Sequence, residues 1–255
     1  MQPDRSSQLK ADGSGPRRAP CQFLEWDSQF FQRRIGTVQT RQLSESALDE
    51  IEQWCKAESI DCLYFLADFE NPETIRLAEN NSFRLVDMRV TLVSNLALAP
   101  KAAHSTAAIR MSQQSDIPAL KEVARSSHGA SRFYFDQNFP RNHCDALYET
   151  WIERSCSGFA DAVLVPEVNG MPAGYLSCRL MPDGTGNIGL VGLAAEVRGR
   201  DIGADLLLAA HSWFMQKGVE QVTVVTQGRN VAAQRLYQRC GYCTQSLHVW
   251  YHRWF

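Results

Sequence analysis

The stretch "VRGRDIGADLL", residues 197–207, places Arg198, Gly199, Arg200 and Gly203 just ahead of an apolar helical pattern. It follows an alternating run, "GNIGLVGLAAE" (186–196), and leads into "ADLLLAAHSWFMQKG" (204–218), so the local order is strand, loop, helix. Backbone N–H groups freed at a helix start form an anion site, and a glycine there lets a ligand approach closely. No Lys-Ser or Lys-Thr pair follows, which excludes a Walker A loop. The G-x-G-x-x-G register of a dinucleotide fingerprint is also absent. Taken alone, the stretch reads equally well as a polar turn that starts a helix.

The 255 residues suffice for one large domain or two small ones. With 44% apolar and 21% charged residues the composition is that of a soluble globular protein, and a net charge of −2 gives no basic excess for general nucleic-acid binding. No apolar run approaches a membrane span. The first 20 residues, "MQPDRSSQLKADGSGPRRAP", contain no apolar signal-peptide core and read as a disordered tail, which makes the cytoplasm the expected compartment. Eight cysteines are scattered rather than spaced as a disulfide framework. "CGYC" at 240–243 follows a helical stretch and precedes a strand, so it reads as a helix end closed by Gly241 rather than a redox motif. No second ligand pair accompanies it, and no metal is expected.

Outward from the loop, hydrophobic periodicity gives a mixed α/β sheet with antiparallel hairpins. Strand-like residues occur in "FLEWDSQFFQRRIGTVQT" (23–40). A helix follows in "SALDEIEQWCKAE" with Leu48, Ile51 and Trp54 on one face, then a buried strand in "DCLYFLADF" and a helix beginning at Pro72. Small residues near 96–107 read as a linker between a region at 21–100 and one at 108–255. In the second region a turn at Asn169-Gly170 suits a hairpin. The ends of the two regions align at an offset of 159: Asn71 falls on Asn230, Arg76 on Arg235, Leu77 on Leu236 and Phe83 on Tyr242. Ala78 takes the place of Tyr237.

The loop Arg198-Gly199-Arg200-Asp201-Ile202-Gly203 resembles the R/Q-x-x-G-x-G/A loop of the GNAT acyl-CoA N-acyltransferases, with Asp201 where glycine is usual. "RNVAAQRLYQRCGY" (229–242) resembles the family's N-x-x-A-x-x-x-Y-x-x-x-G-F segment. The resemblance covers about residues 108–255 and implies a GNAT acyltransferase fold, with residues 21–100 a partial GNAT-like domain. It further implies acetyl-CoA as cosubstrate, bound by Val191, Leu193, Arg198, Gly199, Arg200, Ile202, Gly203, Ala204 and Asn230. The Leu193 N–H would meet the developing oxyanion. Tyr237 would protonate the departing thiolate, since a phenol with pKa about 10 suits a thiol near 8.5. Asn230 and Tyr237 stand seven residues apart, on one helical face and about 10 Å apart along the axis. Without the resemblance they read as an N-cap and a core aromatic. No carboxylate lies within "NIGLVGL", where some members place a base, so the group that deprotonates the amine is left open.

Within the family the chain resembles a nucleotide-sugar N-acetyltransferase that carries a W-x-x-x-F-F stretch, matched here by Trp26, Phe30 and Phe31, and "SRF" ahead of Y-x-x-W-I, matched by Ser131–Phe133 and Tyr148–Ile152. That resemblance implies a small-molecule amine acceptor of the nucleotide-linked amino sugar type. In "SRFYFDQNFPRNHCD", Arg132 and Arg141 could face phosphate, Phe133 or Tyr134 could stack on a base, and Asp136 could meet an ammonium. A solvated loop anchored by its aromatics reads equally well. The rival readings are a GNAT acting on a protein, amino acid or polyamine amine, and a non-catalytic acyl-CoA-binding module. The N-terminal region, lacking the loop and the tyrosine, is expected to bind no coenzyme. No nucleic-acid or membrane partner is expected, and a homodimer is compatible with these readings.

Overall fold

The computed structural model describes residues 19–99 and 107–255, so most of the expected tail (1–20) and linker (96–107) lies outside the described residues. The chain forms two compact units, one ending at Met88 and rejoined by Leu247–Phe255, the other Arg89–Ser246. Its elements in order are β1 (Cys21–Phe23), α1 (Glu25–Phe31), β2 (Ile35–Val38), α2 (Glu45–Ala57), β3 (Cys62–Asp68), α3 (Pro72–Asn80) and β4 (Arg84–Asn95). There follow β5 (Ala108–Met111), α4 (Ile117–Ser127), α5 (Arg132–Phe135), α6 (Arg141–Arg154), β6 (Ala162–Val168), β7 (Met171–Pro172) and β8 (Gly174–Leu180). The last are β9 (Gly186–Leu193), α7 (Ile202–Gln216), β10 (Gln221–Gln227), α8 (Val231–Arg239) and β11 (Cys243–Trp254).

In the first unit β1 pairs antiparallel with β2, β2 parallel with β3, and β3 antiparallel with His248–Trp254 of β11. Leu48, Ile51, Cys55, Leu63, Phe65, Leu77, Val249 and Tyr251 form its buried core. The run at 23–40, expected to be strand-like, divides in two. Glu25 and Asp27 sit in the first turn of α1, where carboxylates favour a helix start, and left-handed Gln32 ends it at φ 53°. Phe23 ends β1 and Ile35–Val38 forms β2.

In the second unit Arg89–Asn95 of β4 pair antiparallel with β10, β10 parallel with β9, β9 antiparallel with β8, β8 with β6, and β6 with β5. The β6–β7 hairpin turns on Asn169 (φ 53°) and Gly170 (φ 75°), the two positive φ values a type I′ turn requires. Helix α7 lays Leu206, Leu207, Ala210 and Phe214 against Leu176, Ile188, Val222 and Val224 of the sheet. Phe214 lies over Gly186, where a Cβ would come within 2.6 Å of its ring.

The 159-residue offset extends to element boundaries. β3, α3 and β4 map onto β10, α8 and β11 with the same starts and ends. Asn71 and Asn230 both cap their helices, accepting from the N–H of Thr74 (2.9 Å) and Ala233 (3.2 Å). The strand pairings obey the same offset, His248 opposite Asp68 and Arg89 opposite Gln227. Each half of the sequence ends in a strand that completes the other unit's sheet, so the compact units cut across the 21–100 and 108–255 segments. Sequence patterning marks where a strand begins and ends; it does not say which sheet the strand joins.

Candidate active site

The site is built where β9 and β10 part. Their parallel pairing is confined to Gly186–Ile188 against Val222–Val224, although β9 runs to Leu193 and β10 to Gln227. A bulge prepares the divergence: Leu176 faces Val191 while Cys178 faces Ile188, leaving one extra residue in β9. Ser177 Oγ accepts the Leu190 N–H at 2.8 Å and satisfies the bulged backbone. The Ala194 N–H donates to Ala173 O (2.9 Å), toward the β8 side. By strand alternation the N–H groups of Val191 and Leu193 turn away from β8, toward the gap.

The 198–203 loop brings a second set of donors. Gly199 (φ 75°) and Asp201 (φ 57°) are both left-handed, and Asp201 is the residue from which α7 starts. Glycine is usual at position 201 for its backbone freedom, and aspartate is among the few side chains that tolerate this conformation. The Asp201 carboxylate points outward, exposed, with Oδ1 3.6 Å from Arg239 Nη1. The Asp201 carbonyl accepts from Ala204 and Asp205, while the N–H groups of Ile202 and Gly203 meet no main-chain carbonyl among the described residues. A Cβ on Gly203 would stand 3.0 Å from Leu236 Cδ2 and 3.4 Å from Leu193 Cδ1, so the start of α7, the second turn of α8 and the end of β9 converge on this glycine. Splayed strands plus a helix start with open N–H groups fit an extended ligand that carries amides and a diphosphate.

Arg198 does not extend toward that anion site. Its Nε donates to Leu193 O (3.0 Å) and its Nη2 to Ser126 O (3.3 Å) and Ser127 Oγ (3.4 Å). Arg200 is exposed and Ala204 half-buried in the first turn of α7. Asn230 uses its Oδ1 as the α8 cap, which leaves the amide nitrogen as the donor. Tyr237 is buried in the core of the second unit, 5.8 Å ring to ring from Tyr242. Burial raises its pKa further above the ordinary phenol value, so the hydroxyl holds its proton.

The expected acceptor residues separate. Phe133 is buried, edge-on to Phe139 (5.5 Å) and Trp151 (6.2 Å), and serves as an anchor that no base can reach. Tyr134 donates to Asp145 Oδ1 at 2.5 Å and stacks on Tyr148. The guanidinium carbon of Arg132 lies 4.5 Å from the Phe133 ring and that of Arg141 5.5 Å from the Tyr134 ring. Asp136 is buried and accepts from Asn138 N and Nδ2, a turn rather than an ammonium site. Phe135, which no motif in the sequence singles out, is 52% exposed, with Arg229 Cζ 3.9 Å from its ring centroid. The same holds for His128, whose Nε2 is 2.7 Å from the Tyr175 hydroxyl and whose ring stacks on Tyr148 at 4.1 Å. Enclosure of that ring, with the Arg198 charge nearby, lowers its pKa to about 3. The two partners are 47 residues apart, and no local spacing announces such a pair.

Residues 120–242 match the Acetyltransferase (GNAT) family. The chain carries a GNAT acetyltransferase domain. Over 243 residues it is 27% identical to the dTDP-fucosamine acetyltransferase of Escherichia coli O6:H1, spanning 93% of this chain and 100% of that one. It is also 30% identical over 139 residues to the spore coat polysaccharide biosynthesis protein SpsD of Bacillus subtilis, spanning 54% of this chain and 48% of that one. A GCN5-related N-acetyltransferase from Sphaerobacter thermophilus shares the fold at a TM-score of 0.68 and 18% identity, over 92% of this chain and 76% of that one. The GNAT domain is thus that of an acetyltransferase. Among the described residues no group of three or more His, Cys, Asp or Glu side chains is placed to hold a metal, and no helix is long and apolar enough to cross a membrane.

Proposed function

We propose that the protein transfers an acetyl group from acetyl-CoA directly to the amine of a nucleotide-linked amino sugar of the TDP-4-amino-4,6-dideoxyhexose type. The divergence of β9 from β10 beside the open start of α7 carries the reading, because it offers amide donors and an anion site along one line. The relative named dTDP-fucosamine acetyltransferase, aligned over its whole length, supports the acceptor class.

Acetyl-CoA supplies an activated thioester. The loop from Arg198 to Ala204 holds its diphosphate through main-chain N–H groups, and Asn230 and Val191 meet its amide-bearing arm. The neutral amine attacks the thioester carbon; a C–N bond forms and the C–S bond breaks. The Leu193 N–H donates to the oxygen on which charge develops. The sulfur leaves as a thiolate and takes the Tyr237 proton; the amine's surplus proton passes to solvent, and a proton from solvent restores Tyr237 before the next turnover. No covalent enzyme intermediate is needed. On the acceptor side Arg132 and Arg141 remain the phosphate candidates. Phe133, Tyr134 and Asp136 shape the wall behind them.

The test incubates the full-length protein with acetyl-CoA and, separately, a TDP-4-amino-4,6-dideoxyhexose, a lysine peptide and spermidine. Thiol release and the mass of the acceptor are followed. Acetylation of the amino sugar alone is expected. Acetylation of the peptide or spermidine with the amino sugar untouched would overturn the acceptor class. Coenzyme binding with no thiol release in any arm would leave only a binding module.

A further inference from the structure

The splayed end of β9 is gripped on both sides of Leu193. Before it stands Gly192, opposite Tyr175 of β8. The tyrosine ring lies so close over this glycine that a Cβ at 192 would stand 2.7 Å from both Cζ and Oη. After it, the Leu193 carbonyl accepts from Arg198 Nε (3.0 Å) and Ser127 Oγ (3.3 Å). The two grips share one support, because Ser127 is the last residue of α4 and His128, its C-cap, meets the Tyr175 hydroxyl. His128 is held in turn by its stack on Tyr148 of α6.

Gly192 makes this support necessary. The orientation of the Leu193 N–H depends on ψ of residue 192 and φ of residue 193, and glycine leaves ψ the freest of any residue. A chain that needs a glycine beneath Tyr175 would present a loosely aimed donor unless something else removed that freedom. Tyr175 presses on one flank and the Ser127–Arg198 pair fixes the other. From this geometry we infer that His128 and Tyr175, with Ser127, are positioning residues that aim the Leu193 N–H at the acyl oxygen. The inference rests on the proposed role of that N–H. Neither residue needs to touch the substrate.

The experiment uses full-length protein and acetyl-CoA carrying a 13C carbonyl, with the infrared carbonyl stretch of the bound thioester as the direct readout. In the parent the band moves to lower frequency on binding, as for any carbonyl that accepts a hydrogen bond. In His128→Ala and Tyr175→Phe it should return part of the way toward the free value and broaden. Turnover should fall on the order of 10-fold to 100-fold, the scale of a misaimed rather than a missing donor, with the coenzyme Kd nearly unchanged. His128→Gln keeps a polar partner for the Tyr175 hydroxyl and should restore most of the band position and of the rate. It also provides a reading should the alanine variant fail to fold. Parent-like bands in both Tyr175→Phe and His128→Ala would overturn the inference. So would a loss of rate in His128→Gln equal to that in His128→Ala, because then the imidazole acts otherwise than by holding Tyr175. A parent that shows no band shift at all would instead remove the proposed role of Leu193. A shifted band without acetylation of the amino sugar would remove only the acceptor class.

Discussion

A phenol enclosed as Tyr237 is keeps its proton across the working pH range, because burial disfavours phenolate. The same burial makes the proton harder to give up, so donation draws on the charge of a thiolate that is itself enclosed. Tyr237→Phe keeps the ring and its contact with Tyr242, so acetyl-CoA should bind with parent affinity while turnover drops about 10²–10⁴-fold. Near-parent turnover at saturating acceptor would make Tyr237 a packed aromatic and nothing more. His211 illustrates the opposite use of burial. It is enclosed beside the Tyr242 hydroxyl at 2.9 Å, and burial lowers its pKa from 6.5 to about 4. Between those values the unfolded chain binds a proton that the native state refuses, so its contribution is full above about pH 6.5 and is lost as pH falls toward 4. Urea midpoints should therefore decline from pH 7 to pH 5, and His211→Gln should flatten that decline; an unchanged slope would show that other groups cause it. The start of α7 at the loop and the helix that carries Tyr237 were legible because each motif is local. Phe133, Tyr134 and Phe135 were not, since four helical residues carry too little periodicity to say which ring faces inward.

At the scale of elements, α3 and α8 form a natural control. Both are nine residues long and both are capped by an asparagine, but only α8 carries a tyrosine where α3 carries Ala78. In the first unit the gap corresponding to the site is also filled. The Asp68 N–H donates to Arg41 O (3.0 Å) and the Leu43 N–H to Thr74 Oγ1 (3.0 Å), so the chain after β2 closes against β3 and α3. Asn71→Ala and Asn230→Ala should each cost about 1 kcal/mol of stability, the usual loss of a cap. Only Asn230→Ala should weaken acetyl-CoA binding, measured by calorimetry beside urea unfolding. An equal loss of affinity in Asn71→Ala would mean that the effect travels through stability and that Asn230 has no contact of its own. The duplication of helix and cap could be read from the 159-residue offset. The filling of the first gap could not, because it depends on a hydroxyl 31 residues from the amide it accepts.

At the scale of the whole molecule, the reciprocal strands decide what can be removed. β3 has β2 on one side and His248–Trp254 on the other, and Val249 and Tyr251 are both buried in the first unit's core. Burying one large apolar side chain contributes roughly 1.5–3 kcal/mol, so losing two removes about 3–6 kcal/mol before any strand hydrogen bond is counted. Against a total stability of about 5–15 kcal/mol, that is a large fraction, to which the lost pairing of His248–Trp254 with β3 adds. A chain ending at Leu247 should therefore lose amide-exchange protection throughout β3 and α2. β10 should keep its protection, because β4 and β9 still flank it. The contrast follows from the exchange: the last residues of the sequence belong to the unit that contains the first helices, although nothing in their alternation distinguishes them from a strand of the adjacent GNAT domain. Hydrogen exchange with mass spectrometric readout separates the outcomes. Protection kept in β3 would mean that the first unit stands without its borrowed strand. Protection lost equally in β10 would mean that the two units unfold as one cooperative body.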